Sequence, residues 1–289
     1  MRSASDISNS LKAIGQTSQI TKAMKLISTS KMSKAIQRYE ANLLYFNRVR
    51  ATIKDILIHS RDLRHTFVEK HEQGIPAYIV IAGDKGLAGG YNHNILNYAH
   101  DFMTDGDKFV ITIGQEARAF FERKKVPIDV EYLHVVQNPT LYEARNLVGD
   151  LAGMYKQEIM SEVYLIYTRY YSNVKQAPVA LKLLPVELSA FKDVVTEFEY
   201  EGEIDYHPSR GRVFDTLIPQ YIIGLVYGAL IQAFASENSA RMVAMDNASR
   251  NADEMTSKLN IEMNHARQAA VTSEITEIVS AMEAITGEE

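Results

Sequence analysis

Residues 245–259 read MDNASRNADEMTSKL, and the apolar positions in this stretch decide the fold. They are Met245, Ala248, Ala252, Met255 and Leu259, separated alternately by three and four residues. A 3.5-residue period keeps one seam of a helix facing a partner helix, which is typical of a coiled coil.

The N-terminal stretch carries a matching helical pattern. Its apolar positions are Leu11, Ile14, Met24, Ala35, Tyr39, Leu43, Phe46 and Ile53. No proline occurs before Pro76 or after Pro219. Each run exceeds the roughly 25 residues beyond which a periodic pattern indicates a coiled coil or a membrane span, and neither has the roughly 18 unbroken apolar residues of a span. We therefore predict a long antiparallel coiled coil of the N- and C-terminal helices.

Between these ends the pattern changes to short strands alternating with helices. The predicted strands are residues 77–82, 108–113, 128–136, 163–170 and 179–186, and the predicted helices are residues 92–103, 115–125 and 140–160. Such alternation predicts a largely parallel sheet, with the last two strands as an antiparallel edge. The fold class is α/β, with a coiled-coil helix at 1–60, a central Rossmann-like domain at 75–190 and a second coiled-coil helix at 208–286.

The C-terminal helix is expected to outreach its partner. After Pro208, Gly211 and Pro219, an unbroken helix from Gln220 to Ile285 would extend roughly 100 Å. The N-terminal run covers only part of that length. The tip should therefore find apolar contact elsewhere, through Ile275, Ile278, Val279, Met282 and Ile285.

Charge is unevenly distributed. The net charge is −5, yet residues 1–60 hold ten Lys or Arg and three Asp or Glu. Between Ile7 and Tyr39 six cations occur without an acid, which predicts a cationic helix face with an acidic partner. A solvated face is the alternative. Nucleic acid is disfavoured because the rest of the chain is acidic and no aromatic residue interleaves the lysines before Tyr39.

No motif predicts catalysis, a cofactor or a metal. Residues 83–90, GDKGLAGG, follow a strand and precede a helix, as a phosphate-binding loop does, but the Gly-Lys-Ser/Thr of a P-loop and the spacing of a dinucleotide fingerprint are both missing. A tight turn with close backbone approach is favoured instead. There is no cysteine, and the histidines do not share a helical face at ligand spacing.

Four segments, in order along the chain, resemble the γ subunit of F-type (F1Fo) ATP synthase. They are QITKAMKL at 19–26, DKGLAGGYN at 84–92, ENSARMVAM at 237–245 and NHARQAAVTSEI at 264–275. The similarity extends over nearly the whole chain. Several motifs in sequence are far more specific than any one glycine pattern.

The resemblance implies a non-catalytic central-stalk rotor that couples ion flow through a membrane ring to ATP synthesis or hydrolysis. Its implied partners are the alpha and beta subunits of F1, the epsilon subunit and the membrane c-ring, without nucleic acid or a small-molecule substrate. The implied contact residues are Lys22, Met24 and Lys25 on the cationic helix, and Asn238, Arg241, Gln268 and Thr272 on the C-terminal helix.

The implied location is peripheral, on the cytoplasmic side of a bacterial cell membrane. Residues 1–10 lack the apolar core of a signal peptide and the arginine-rich character of a mitochondrial presequence, which agrees with that expectation. Two departures from the family stand out. Ala88 stands where many members of the family have cysteine, and His207 replaces a glutamate common before Pro208. The absence of any cysteine excludes a plant-type redox switch.

Two other classes of function remain open from the residues alone. One is a nucleotide-dependent enzyme that uses the α/β segment and dimerises through its coiled-coil ends. The other is a coiled-coil scaffold.

Overall fold

A computed structural model describes residues 4–59, 65–194, 206–207 and 209–286. The helices are α1 (Ala4–His59), α2 (Tyr91–Phe102), α3 (Gln115–Arg123), α4 (Leu141–Lys156) and α5 (Arg210–Thr286). The strands are β1 (Ile75–Ile81), β2 (Phe109–Ile113), β3 (Val130–Tyr132), β4 (Met160–Tyr170) and β5 (Gln176–Leu184). The predicted α/β class with long terminal helices is confirmed.

The strands form a single five-stranded sheet with the order β3-β2-β1-β4-β5. The β1 strand lies between two parallel neighbours, and Ile79 stands opposite both Ile111 and Leu165. The β5 strand runs antiparallel to β4, as predicted for the edge. The continuous apolar run of β1 fits this central position, because a central parallel strand is covered on both faces.

Alternate residues of β1 supply two different cores. Tyr78 and Val80 pack with residues of α2 and α3 on one face of the sheet. Ile79 and Ile81 pack on the other face with α4 and with parts of α1 and α5. The two-residue period of the strand thus produces a three-layer arrangement, which is the way an α/β sheet covers both faces.

One predicted strand was too long, and one predicted helix contains a proline that was expected to precede it. The strand predicted at 128–136 is limited to β3, because the chain turns at His134, whose φ is +67°, into a short 3₁₀ helix at Val135–Gln137. The helix α5 spans Arg210–Thr286, close to the predicted 208–286, but Pro219, expected to precede its uninterrupted part, lies inside it. Proline removes one backbone donor from a helix but does not always end it. Pro208 and residue 60, which bound the predicted helices, lie outside the described residues.

The chain forms two compact units, each of which contains a part of α1 and a part of α5. The first unit comprises residues up to 27 and from 242 onward, and the second comprises residues 28–241. We call them the terminal unit and the central unit. The sheet and all of α2, α3 and α4 belong to the central unit.

The seam of the two long helices follows the predicted 3.5-residue period, with one correction. Met245, Ala252 and Leu259 are buried as predicted, but Met255 is 51% exposed. Ser249 lies in the seam instead and is only 5% exposed. Its hydroxyl contacts the hydroxyl of Thr21 on α1. None of the eight apolar positions predicted for α1 is exposed.

Length and composition allow α5 to be compared with a membrane span. Between Gly211 and Ser280 it contains an 18-residue window of mean hydropathy 1.6. Half of that window is buried inside the chain, and the core helix of a soluble protein passes the same test. The window is therefore weak evidence for a span.

Candidate functional site

The terminal unit joins α1 and α5 in an antiparallel pair through small polar side chains. The hydroxyl oxygens of Thr21 and Ser249 lie 2.7 Å apart in the seam, and Ser18 donates to Asp253 Oδ1 over 3.1 Å. Ser18 and Thr21 are each only 7% exposed. A search for apolar periodicity misses these residues, although they continue the heptad spacing of the buried Ile7.

Two of the predicted contact lysines bind carboxylates of α5 within this unit. Lys22 Nζ lies 3.2 Å from Asp253 Oδ1, and Lys25 Nζ lies 2.6 Å from Asp246 Oδ1. The hydrogen bond from Lys25 holds the pKa of Asp246 below its ordinary value, and Arg250 adds to this effect. The hydrogen bond from Lys22 lowers the pKa of Asp253 in the same way. Part of the cationic charge predicted on α1 is thus balanced inside the chain.

The acids at 246 and 253 were missed as partners because they lie more than two hundred residues from the lysines along the chain. They occupy α5 positions one heptad apart, as Lys22 and Lys25 occupy one turn of α1. Only the antiparallel register of the helices brings them together. Met24, the third predicted contact residue of this group, is half-buried on α1.

The C-terminal part of α5 is exposed on all sides. Every residue from 267 to 280 is exposed, including the predicted contact residues Gln268 and Thr272. The Thr272 hydroxyl donates back to the Gln268 carbonyl over 2.8 Å. The exposed apolar residues include Val271, Ile275, Ile278 and Met282, which recur at steps of four, three and four.

The antiparallel register explains this exposure. Thr21 faces Ser249, and Ser18 contacts Asp253, so a step toward the start of α1 matches a similar step toward the end of α5. At this register Ala4, where α1 begins, lies level with about residue 267. The apolar stripe at 271–282 therefore extends past the described part of α1, and α1 does not cover it.

In the central unit, hydrogen bonds fix the glycine-rich loop after β1. Asp84 is only 8% exposed. Its carboxylate accepts a hydrogen bond from the backbone N–H of Gln115 at the start of α3 and another from the Gln137 side chain, each over 2.9 Å. The Asn92 side chain accepts from Gly83 N over 2.8 Å. A Cβ at Gly83 would stand 3.0 Å from the Glu237 carboxyl carbon. The loop is a tight turn with close approach, as predicted.

Arg241 holds the same loop from α5. Its Nη2 donates to the carbonyls of Lys85 over 3.3 Å and Gly86 over 3.2 Å, and it pairs with Glu237 Oε1 at 2.5 Å. Burial raises the pKa of Glu237, and the Arg241 guanidinium opposes that rise. The predicted contact residue Arg241 therefore has an internal role that its position in the sequence did not reveal.

Asn238 needs a correction. Its side chain is predicted to face other subunits, but the residue is 2% exposed and its amide donates to the Phe234 carbonyl over 2.8 Å. The helix turns this position toward the central core, between Glu237 and Ser239, which are also buried. The chain therefore leaves Asn238 almost no surface to present to a partner.

The described cavities in the central unit do not resemble a nucleotide site. A cavity of about 70 Å³ lies between the glycine-rich loop and α5, lined in part by Asp84, Glu237 and Arg241. Small-molecule pockets usually measure about 300–1,000 Å³. A wider cleft of about 300 Å³ beside β3 carries Glu122, Asp129 and Glu131, whose carboxylates would repel phosphates. Among the described residues no group of three or more His, Asp or Glu is arranged to hold a metal.

Comparison with known proteins agrees with the four motifs. The sequence model of the family described as ATP synthase matches residues 3–285. An ATP synthase gamma chain from Ruminiclostridium cellulolyticum is 44% identical over 287 residues, which are 97% of this chain and 98% of that protein. The chain belongs to the family of ATP synthase gamma chains. The resemblance predicted from the sequence is confirmed.

Solved structures share the fold of this gamma-family chain at lower identity. One is the rotor of the Euglena gracilis mitochondrial ATP synthase in rotational state 1, with a TM-score of 0.65 and 15% identity, covering 93% of this chain and 98% of that one. Another belongs to the OSCP/F1/c-ring of the same synthase in rotational state 3, with a TM-score of 0.68 and 16% identity, covering 99% and 96%. The long helices and the sheet are thus features of the family fold.

Proposed function

We propose that this chain is the central-stalk rotor subunit of an F-type ATP synthase. It couples ion translocation through a membrane c-ring to ATP synthesis or hydrolysis in a hexamer of alpha and beta subunits. Family membership supports the proposal, and so does the fold shared with the Euglena rotor. The epsilon subunit and the c-ring complete the proposed partner set.

The observation that carries the proposal is the apolar stripe of α5 from Val271 to Met282. Its residues at heptad spacing are 48–62% exposed. An isolated amphipathic helix in water is marginal, and most helical stability in proteins comes from packing of an apolar face. A second protein surface around this segment would supply the missing burial. A ring of subunits that encloses the helix end meets that requirement.

The chain is proposed to have no catalytic role of its own. The glycine-rich loop lacks the Lys-Ser/Thr end of a P-loop. Asp84 of the loop and Arg241 of α5 bind backbone and side-chain groups of the chain. The scaffold and the nucleotide-dependent enzyme remain the rivals. ATP turnover by the purified chain, free of alpha and beta subunits, would contradict this part of the proposal.

We further propose that the chain is peripheral to a bacterial cell membrane, on its cytoplasmic side. The apolar window of α5 is half buried in the chain, which fits a core helix. We propose a separate role for each segment. The helices at 1–60 and 208–286 transmit torque, and the α/β domain at 75–190 connects to epsilon and the c-ring.

The residues proposed to contact other subunits differ in exposure and in their bonds within the chain. Gln268 and Thr272 are exposed and offer polar groups directly. Lys22 and Lys25 are bound to acids of α5 but keep about half of their side-chain surface exposed, at 56% and 43%. They and Met24 are proposed to reach acidic surfaces of beta subunits while remaining part of the helix pair. Arg241 is proposed to act mainly through the loop that it holds.

The test replaces the apolar stripe by polar residues. In the variant Ile275→Asn/Ile278→Asn, two exposed apolar side chains lose the burial that partners supply, which is worth about 1.5–3 kcal/mol each when complete. We expect at least about a tenfold loss of ion-driven ATP synthesis in the reassembled complex, equivalent to about 1.4 kcal/mol. Thr276→Asn, also exposed and already polar, is the matched control and should leave synthesis unchanged.

Tight assembly and undiminished synthesis by the double variant would contradict the proposed role of the stripe. Circular dichroism of the free chain separates this result from misfolding. The stripe is exposed in the free chain, so the double variant should retain nearly the same helicity.

A further inference from the structure

The hairpin loop between β4 and β5, residues 171–175, exposes apolar surface together with positive charge. Val174 is 97% exposed and Tyr171 is 51% exposed. Lys175 Nζ lies 5.4 Å from the centre of the Tyr171 ring, a cation–π distance. The glycine-rich loop and the α5 stripe do not include these residues, so the functions discussed so far leave them unexplained.

The charged residues around this loop are all basic, although the chain as a whole is acidic. Between Glu162 and Glu187 the sequence holds no acidic residue, and it holds Arg169, Lys175 and Lys182. Lys182 pairs with both flanking glutamates at the far end of β5 from the loop. At the loop end of the hairpin, Arg169 and Lys175 have no carboxylate on either strand to pair with. An acidic partner would therefore meet no like charge from the hairpin.

Hydrogen bonds hold the loop in one conformation. The N–H groups of Tyr171 and Ser172 donate to the Lys175 carbonyl over 3.2 and 3.0 Å. The Ser172 hydroxyl accepts from the N–H groups of Val174 and Lys175 over 3.3 and 3.1 Å. Four of the five backbone N–H groups of residues 171–175 are thus satisfied within the loop. All five loop residues are exposed, and Val174 and Lys175 contribute the apolar and the cationic side chain.

The α5 helix anchors the loop from behind. Ser239, which is fully buried, donates to the Asn173 carbonyl over 3.2 Å and accepts from Gln176 Nε2 over 2.9 Å. The Tyr170 hydroxyl adds a bond to Asn173 Oδ1 at 2.5 Å. A loop fixed before its partner arrives pays little conformational entropy on binding. Rigidity combined with apolar exposure distinguishes this loop from an ordinary solvated hairpin turn.

We propose that residues 171–175 form a docking surface for an acidic polypeptide segment of another subunit of the synthase. Val174 inserts between apolar side chains of that segment. Lys175, which the Tyr171 ring holds in place, pairs with one of its carboxylates. The proposal rests on the proposed function, because it assigns the partner to the same complex. It adds a contact on the sheet hairpin, separate from the α5 stripe.

Crosslinking tests this contact directly, because the chain has no cysteine. Val174→Cys is labelled with a benzophenone maleimide before the chain is assembled with alpha, beta and epsilon subunits, and the complex is then irradiated. We expect crosslinks to a peptide of a partner subunit that contains Asp or Glu. Gln157→Cys, exposed just before the opposite end of β4, is the control and should not label that peptide.

A charge reversal supplies the second measurement. Lys175→Glu should slow association with the partner subunits roughly fivefold to tenfold at low salt, and the difference should shrink at high salt. Lys156→Glu is a close control, because Lys156 Nζ also lies 5.4 Å from an aromatic ring, that of Phe67, away from the hairpin. It should leave the association rate nearly unchanged.

The outcomes separate the two proposals. If the unmodified chain forms no complex with alpha and beta subunits, the proposed function fails and the docking surface fails with it. If the complex forms and makes ATP, but labelled Val174→Cys crosslinks only to lipid or to nothing, the docking surface alone is overturned. Equal salt dependence for Lys175→Glu and Lys156→Glu would also overturn it.

Discussion

The helices α1 and α5 pair by different chemistry in the two units. In the terminal unit, the buried seam positions include Ser18, Thr21 and Ser249, which bear hydroxyls. In the central unit, α1 buries Val49, Ile53 and Ile56, and α5 buries large residues such as Phe214 and Tyr221. Full burial of one large apolar side chain contributes about 1.5–3 kcal/mol, whereas a net hydrogen bond contributes about 0.5–1.5 kcal/mol. A hydroxyl position of the seam therefore stabilises the helix pair less than a large apolar position of the central unit does, although Met245 and Leu259 also bury apolar surface in the terminal unit.

Glycine increases this contrast in the central unit. A Cβ at Gly224 would stand 2.4 Å from Cδ2 of Phe46, so glycine lets that ring lie against the α5 backbone. The Phe46 ring then stacks on Tyr221 with centroids 5.9 Å apart. Close approach adds dispersion contacts to the buried area.

Truncating the apolar seam of the central unit should have the largest effect. Ile53 is fully buried, so Ile53→Ala leaves a cavity and should lower the free energy of unfolding by about 2–5 kcal/mol. Ile20→Ala on the same helix, where the side chain is 59% exposed, should change it by no more than about 0.5 kcal/mol. Urea unfolding of both variants measures the difference, and equal midpoints would contradict the core assigned here.

Breaking the helix of the terminal unit should have a comparable cost but remain local. Ala252→Pro removes a backbone donor and clashes one turn back, at a cost of about 3 kcal/mol or more. We expect loss of ion-driven ATP synthesis while residues 75–190 keep their protease resistance. Ala252→Ser serves as a control that preserves the helix. Normal synthesis by the proline variant would reject a rigid helix pair, and loss of resistance at 75–190 would show that the two units do not fail separately.

Removing one hydroxyl from the polar seam should have an intermediate effect. Thr21→Val leaves the buried Ser249 hydroxyl without its 2.7 Å partner, at a cost of about 1–3 kcal/mol. Replacing both residues, as Thr21→Val/Ser249→Ala, should cost less than the sum of the single changes, because neither polar group is then left unpaired. Hydrogen exchange of α5 amides near residue 249 reports the local stability. Additive effects would show that the two hydroxyls do not interact.

Acid should weaken the terminal unit by the smallest amount. The pKa values of Asp246 and Asp253 are lowered by Lys25 and Lys22, so their contribution is fully present above the unfolded value of about 4. It is lost as the pH falls through the lowered folded pKa. Asp246→Asn should therefore destabilise the terminal unit at pH 7 and have almost no effect near pH 2. Glu254→Gln, exposed on the same helix, is the control for loss of one charge.

Local sequence patterns were enough to predict the element types, the mainly parallel sheet and the family. Uninterrupted heptad spacing, strands separated by helices, and four ordered motifs all depend on residues that are close together along the chain. Local patterns of this kind carry their own physical constraint, because helix and strand periods fix which side chains share a face. The local pattern placed Pro219 before the uninterrupted helix, whereas it lies inside α5. The effect of a proline on a helix also depends on the packing around it, which a local pattern does not contain.

Contacts between distant segments select the polar residues that the fold uses internally. Ala248 and Ser249 are both small neighbours of the seam, and only the Thr21 hydroxyl across it makes Ser249 the buried one, with Met255 turned outward. Asn238 and Arg241 looked alike as contact residues, yet one is buried and the other holds the carbonyls of Lys85 and Gly86. Hydrogen bonds and ion pairs between distant segments have no period in the sequence, so their partners are fixed only when the helices and the sheet come together.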